Sequence, residues 1–142
     1  MGRIVVHLHG KTKQRDLERL FSMYGERVAS RGVKVQYHSE RLSPGAYIEV
    51  LHQLKGRVIL LDESGEMSTS ASFAQQVKKW TVERESTHLV IGPAEGWHSQ
   101  SEAFERFSLS KMTFPHELAG VMLIEQLYRA TEILRGSDYH KA

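Results

Sequence analysis

The sequence predicts an α/β fold built on a mostly parallel sheet flanked by helices, and three observations predict it. Short, unbroken apolar runs recur at Ile4-Val5-Val6, Val58-Ile59-Leu60-Leu61 and Leu89-Val90-Ile91, as in strands covered on both faces. Segments with apolar residues at helical spacing lie between them. Strand and helix alternate along the chain, which places any ligand at the carboxyl ends of the strands. Without a repeat, low-complexity stretch or linker to divide them, residues 1–142 are expected to form one domain with a real core.

Arg3 to Leu8 reads as the first strand and Gly10-Lys11 breaks it. Leu17, Leu20, Phe21, Tyr24 and Val28 then recur at helical spacing, predicting a helix from about Gln14 to Ser30. After Gly32, Val33, Val35 and Tyr37 alternate as a second strand. Ser43-Pro44-Gly45 is a turn signal, and Ile48, Leu51 and Leu54 mark a short helix. Arg57 to Asp62 is a buried strand, followed by a loop from Glu63 to Ser68. The next helix carries Phe73, Val77 and Trp80 on one face, with Ser70 as its cap. His88 to Ile91 is the next strand and leads into a loop bounded by Gly92 and Gly96. Ser108 to Met112 reads as a last short strand.

A long helix closes the pattern, with Thr113 as its N-cap, Pro115 in the first turn and Gly136 at its end after Arg135. Its apolar residues, Leu118, Val121, Met122, Leu123, Ile124, Leu127, Ile133 and Leu134, are not confined to one stripe. Such a helix needs cover on more than one side, from its own sheet and a second copy of the chain or from elements of one protomer.

Composition sets limits. At 40% hydrophobic and 25% charged residues the chain has ordinary globular make-up, and a net charge of +2 permits an anionic partner without requiring one. The absence of cysteine excludes disulfides and thiolate zinc sites. Neither a membrane-length apolar run nor a signal peptide is evident, so a cytoplasmic protein is expected. His7 and His9 form a strand pair beside a turn, without an HExxH or carboxylate-histidine cluster, so no metal is expected. The Gly92 to Gly96 loop is neither a phosphate-binding P-loop nor a dinucleotide fingerprint, and no GxSxG elbow exists. Met67 and Met112 read as fillers. Lys11, Lys13 and Arg15 form a small basic cluster, read as a solvated face in preference to a phosphate contact. By the strand-end rule the ligand loops follow Leu61, Ile91 and Met112.

The final third carries longer signals: Ser108-Leu109-Ser110-Lys111-Met112-Thr113-Phe114-Pro115-His116, then Glu125-Gln126-Leu127-Tyr128-Arg129-Ala130, then Tyr139-His140-Lys141. These closely resemble the C-terminal signature of the RlmH family, SPOUT-superfamily enzymes that methylate N3 of a pseudouridine in large-subunit (23S) ribosomal RNA. Gly10-Lys11, Leu61-Asp62, Phe73-Ala74 and Ile91-Gly92 with Gly96 extend the likeness over nearly the whole chain, with positions 12 to 56 contributing only order and length. The resemblance implies a trefoil knot within about 87–142 and a homodimer through the C-terminal helix. It also implies S-adenosylmethionine, bent, among the three loops. Leu61, Gly92, Leu109, Ser110, Lys111, Met112, Thr113 and Phe114 correspond to the family's cofactor contacts, many of them through backbone groups.

Two positions depart from the family pattern. Pro93 stands where a second glycine is usual and has no N–H to offer a ligand. Gly120 stands in mid-helix where an arginine is usual, removing a cation.

The implied reaction requires an imide nitrogen to lose its proton and meet a sulfonium methyl in line. Arg129 is the first choice for holding RNA or stabilising the uracil-like anion, and Glu125, one turn before it, either orients the guanidinium or makes an ordinary exposed pair. Tyr139 and His140 suit stacking on or bonding to the base, with Lys141 on phosphate. No general base is assigned, His140 being the best candidate. The alternatives are a SPOUT methyltransferase for another RNA and a non-catalytic RNA-binding homodimer.

Overall fold

The computed structural model describes residues 2–97 and 99–141. Five strands form one parallel sheet in the order β2-β1-β4-β3-β5: β1 (Ile4–His9), β2 (Val33–His38), β3 (Arg57–Met67), β4 (Thr87–Val90) and β5 (Glu105–Ser108). The helices are α1 (Arg15–Ala29), α2 (Pro44–His52), α3 (Ser70–Val82) and α4 (His116–Arg135), with a 3₁₀ turn at Ser99–Ala103.

Because side chains alternate across a strand, the apolar runs feed two cores. Ile4, Val6, Leu8, Ile59, Leu61, Leu89 and Ile91 pack with Phe21 and Val28 of α1, Phe73, Val77 and Trp80 of α3, and the buried side of α4. On the other face Leu60 and Val90 meet Tyr47, Ile48 and Leu51 of α2. Fully burying an aliphatic side chain stabilises by about 1.5–3 kcal/mol, so both faces hold the sheet in place.

Helix α4 packs against both α1 and α3. Arg31 Nη1 donates to Thr131 Oγ1 at 2.5 Å and pairs with Glu132 Oε2 at 2.7 Å, while Ser70 Oγ donates to Gln126 Oε1 at 2.8 Å. Leu123, Ile124 and Leu127 are fully buried within this one chain. The breadth of the apolar surface on α4 thus reflects cover by two sister helices, and Leu123 and Leu127 are core residues of the protomer. Gly120 is buried too, and a Cβ there would stand 3.2 Å from Leu8 Cδ2, so its smallness lets α4 approach β1.

Several boundaries differ from expectation. β3 continues to Met67 in place of the predicted loop, with a bulge between Leu61 and Glu66 where it pairs with β5. Gly65 makes this possible, since a Cβ there would lie 2.6 Å from the Phe107 nitrogen. β5 is Glu105–Ser108, so Ser108 to Met112 is not a strand. Ser108 Oγ donates to the Ser110 carbonyl at 2.6 Å and Met112 N–H to Ser110 Oγ at 3.1 Å, local bonds that replace ladder pairing.

The helix starts also move. Ser43-Pro44-Gly45 opens α2, with Ser43 Oγ accepting from Ala46 N–H at 3.1 Å and proline in the first turn. Thr69, not Ser70, caps α3. α4 begins at His116 with Pro115, not Thr113, at the cap position and no side-chain cap. Glu117 instead accepts from the backbone N–H groups of Lys13 and Gln14 at 3.0 and 3.2 Å, tying α4 to the start of α1.

Candidate functional site

The loops after β4 and β5, with the bulged part of β3, enclose a cavity of about 680 Å³. Leu61, Gly92, Leu109, Ser110, Met112, Thr113 and Phe114 line it, seven of the eight residues expected at a cofactor. Lys111 is exposed and outside the lining. Pro93, Ala94 and Gly96 form one wall, and His116 and Ala119 from the first turns of α4 form another. Gly96, at φ 85°, closes a turn in which its N–H bonds the Pro93 carbonyl at 2.9 Å. Met112 is 74% exposed and stands at the mouth.

Two aromatic residues that the sequence reading passed over shape the strand ends. Trp97 Nε1 donates to the Leu61 carbonyl at 2.9 Å, and Tyr47 Oη donates to the Ile91 carbonyl at 3.0 Å. Their rings are stacked, with centroids 5.7 Å apart at 10°. Burial pushes the Tyr47 hydroxyl above its ordinary pKa, keeping it a donor. The visible signal was an aromatic side chain directly after the Gly96 turn.

Beneath Tyr47 lies a row of imidazoles. His9 and His38 contact its ring at centroid distances of 5.0 and 5.3 Å. His7 Nδ1 is 2.8 Å from His38 Nε2, His7 Nε2 is 2.8 Å from His88 Nδ1, and His88 Nε2 is 3.0 Å from the Lys55 carbonyl. A carbonyl only accepts, so His88 carries a proton on Nε2; with His7 uncharged, the row runs from His38 Nε2 to His7 Nδ1 and from His7 Nε2 to His88 Nδ1. Burial, then His88 and His38, lower the His7 pKa to about 3, which keeps that ring neutral. Among the described residues no group of three or more His, Cys, Asp or Glu is placed to hold a metal ion.

The other expected residues assemble elsewhere. Gly136, at φ 73°, ends α4 and turns the chain back along it, with Ser137 N–H bonding the Glu132 carbonyl at 3.1 Å. The returning segment brings Tyr139 Oη to Glu125 Oε2 at 2.7 Å and His140 Nδ1 to Arg129 Nη1 at 3.1 Å. Arg129 Nη2 pairs with Glu125 Oε2 at 2.8 Å, and its guanidinium lies 4.9 Å from the Tyr139 ring centroid. The bond to Glu125 holds the Arg129 pKa above its ordinary value. Burial and then the Glu125 bond raise the Tyr139 hydroxyl. Arginine cannot accept, so His140 Nδ1 does, and its proton sits on Nε2. His140 thus has Nδ1 engaged by Arg129. Lys141 is exposed beside this cluster.

Cavity and cluster are both built on α4 but at different ends. Arg129 lies about ten residues beyond Ala119, a rise of about 15 Å along the helix.

A family model described as "Predicted SPOUT methyltransferase" matches residues 3–140. The chain belongs to the SPOUT methyltransferase family. Among its relatives is a protein of Synechococcus sp. (strain RCC307) named Ribosomal RNA large subunit methyltransferase H, 35% identical over 143 residues, covering 99% of this chain and 96% of that protein. A protein of the same name from Protochlamydia amoebophila (strain UWE25) is 38% identical over 136 residues, covering 93% and 94%. Another, from Anaeromyxobacter sp. (strain K), is 44% identical over 87 residues, a match spanning 60% of this chain and 57% of that protein. As in other α/β folds, this SPOUT chain has its cavity at the carboxyl side of its parallel strands.

Proposed function

We propose that this chain is an S-adenosylmethionine-dependent methyltransferase acting on N3 of a pseudouridine in large-subunit ribosomal RNA. Its working form is a homodimer that joins the cavity of one protomer to the Arg129 cluster of the other. Family membership and the relatives' printed names support the activity and RNA class. The observation that carries the two-chain site is the separation along α4. Ala119 on the cavity wall and Arg129 in the cluster are separated by a rise of about 15 Å along a helix whose middle is core, so one chain does not set the two side by side.

The cavity suits the cofactor in size, within the roughly 300–1,000 Å³ usual for small-molecule sites, and in its mixture of apolar side chains with loop backbone. Leu61, Gly92, Leu109, Ser110, Met112, Thr113 and Phe114 would hold it. When bound, S-adenosylmethionine supplies an electrophilic methyl group on a sulfonium.

The chain's remaining contribution is placement and charge. Arg129, its fork fixed by Glu125, offers a preorganised cation to the anion left when the imide loses its proton. Tyr139 presents a ring, His140 donates from Nε2, and Lys141 meets phosphate. A knot within about 87–142 belongs to the same proposal, supported by the family and by the return of the chain from edge strand β5 to α4 against α1 and α3. The ribosomal substrate makes the cytoplasm the place of action.

The deciding experiment incubates unmodified ribosomes with the protein and labelled S-adenosylmethionine, then maps the methylated nucleoside by mass spectrometry. Methyl on N3 of a pseudouridine of the large-subunit RNA is the expected result. Methyl on another nucleoside or RNA would leave a SPOUT enzyme of different specificity. Absence of cofactor binding would leave an RNA-binding dimer.

A further inference from the structure

Gly92 lines the cavity, yet the space above its Cα belongs to this chain's own indole. A Cβ built on Gly92 would lie 2.9 Å from both Cε2 and Nε1 of Trp97 and 3.3 Å from Cζ2. That indole is not a flexible chain end free to swing aside. Its N–H is held by the Leu61 carbonyl at 2.9 Å, and one face is stacked on Tyr47, itself anchored on the Ile91 carbonyl at 3.0 Å. Trp97 nevertheless remains half-buried and lines the cavity.

Resting on the cofactor reading above, we propose that Trp97 is the aromatic wall that seats the purine of the cofactor, and that Gly92 is glycine because Trp97 needs its place. Two arguments choose the purine end. The Trp97 N–H is fixed to the carbonyl of buried Leu61 in the sheet, at the floor of the cavity, whereas a transferable methyl group must face the mouth where RNA arrives. Of the two cofactor ends remote from that methyl, the adenine is a flat π-system that stacks on indole, while the amino-acid end is a strongly hydrated zwitterion. A position for the sulfonium against Trp97 would instead make a cation–π contact. The two arrangements respond differently to loss of the cofactor's charge.

Binding of S-adenosylmethionine, its demethylated thioether product and adenosine is measured by calorimetry for the unaltered protein and for Trp97→Ala, Trp97→Phe and Gly92→Ala. Trp97→Ala is expected to weaken all three ligands about tenfold, as removal of one base-stacking aromatic does, and Trp97→Phe to restore most of the loss. Weakening confined to the sulfonium form would overturn the purine assignment.

The seat for Trp97 is tested by a double-mutant cycle. Gly92→Ala should weaken binding in the unaltered protein and add little in the Trp97→Ala background, where the added methyl has nothing to strike. An equal loss in both backgrounds would overturn the seating argument and return Gly92 to direct cofactor contact. The sequence has two tryptophans, so the ligand-dependent emission change should be present in the unaltered protein and absent from Trp97→Phe, which keeps only buried Trp80. Melting curves of each variant separate misfolding from loss of contact. Failure of the unaltered protein to bind any of the ligands would refute the cofactor reading itself, whereas binding indifferent to Trp97 would refute only this inference.

Discussion

Acidification should destabilise this protein well above the range in which carboxylates titrate, through His7. The residue is fully buried, with both ring nitrogens engaged by His38 and His88. Burial, then the neighbouring His88 and His38, lower its pKa from 6.5 to about 3. A proton added at Nδ1 would face the N–H of His38, two donors with no acceptor between them.

The folded pKa lies below the unfolded one, so the contribution to stability is present above pH 6.5 and is lost as pH falls, because only the unfolded chain takes up the proton. Between pH 7.5 and 5 that linkage removes about 2 kcal/mol, a sizeable part of the roughly 5–15 kcal/mol that holds a domain together. His38, lowered by burial and then by His9, adds in the same direction. The measurement is urea unfolding at the two pH values for the unaltered protein and for His7→Gln. Glutamine keeps an acceptor and a donor for the two neighbours but does not titrate. Its stability should fall by about 2 kcal/mol less than that of the unaltered protein over this interval. Equal losses in the two proteins would refute a neutral, buried His7.

Arg129→Ala should cut methyl transfer to ribosomes by about a hundredfold or more, the scale for loss of a preorganised charge donor, while cofactor affinity stays within a factor of about two by calorimetry. Removal of Tyr139 to Ala142 should do the same, and an active truncated protein would show that the tail has no part in the reaction. Leu127→Asp places an unpaired charge in the core of the protomer and should cost more than about 4 kcal/mol, seen as loss of the cooperative melting transition. Light scattering should give twice the protomer mass at micromolar concentration. Mixing the tail-truncated chain with one altered at Gly92 should restore activity in the heterodimer, and verified heterodimers without activity would place tail and cavity in one protomer.

The layout of strands and helices was legible because apolar runs and helical spacing are local properties of the sequence, as at Ile4 to Val6 and Phe73 to Trp80. Glu125 and Arg129 were legible for the same reason, one helical turn apart. What escaped notice depends on distant segments meeting. His7 and His88 are 81 positions apart and become neighbours only when β1 and β4 pair in register. Likewise, Trp97 lies 36 positions from the carbonyl it bonds. The extension of β3 was hidden because a Ser-Gly pair reads as a loop, and only the approach of Phe107 gives Gly65 a place in a strand. Ser108 to Met112 looked extended in sequence, but the hydroxyls of Ser108 and Ser110 bond the local backbone and the ladder ends at Ser108.

Helix α4 also bears on whether motion within one protomer could join cavity and cluster. Its first turns wall the cavity, its later turns hold Arg129 and Glu125, and Leu123, Ile124 and Leu127 between them are buried with α1 and α3. Ser70 on α3 and Arg31 after α1 fix it from both sides. Bringing Arg129 to its own cavity would require breaking this packing, with each buried leucine exposed costing about 1.5–3 kcal/mol. In the proposed homodimer a second protomer would supply the same groups with neither helix moving. The rigid separation of cavity and cluster along α4 is thus the reason the proposed site is drawn between two chains.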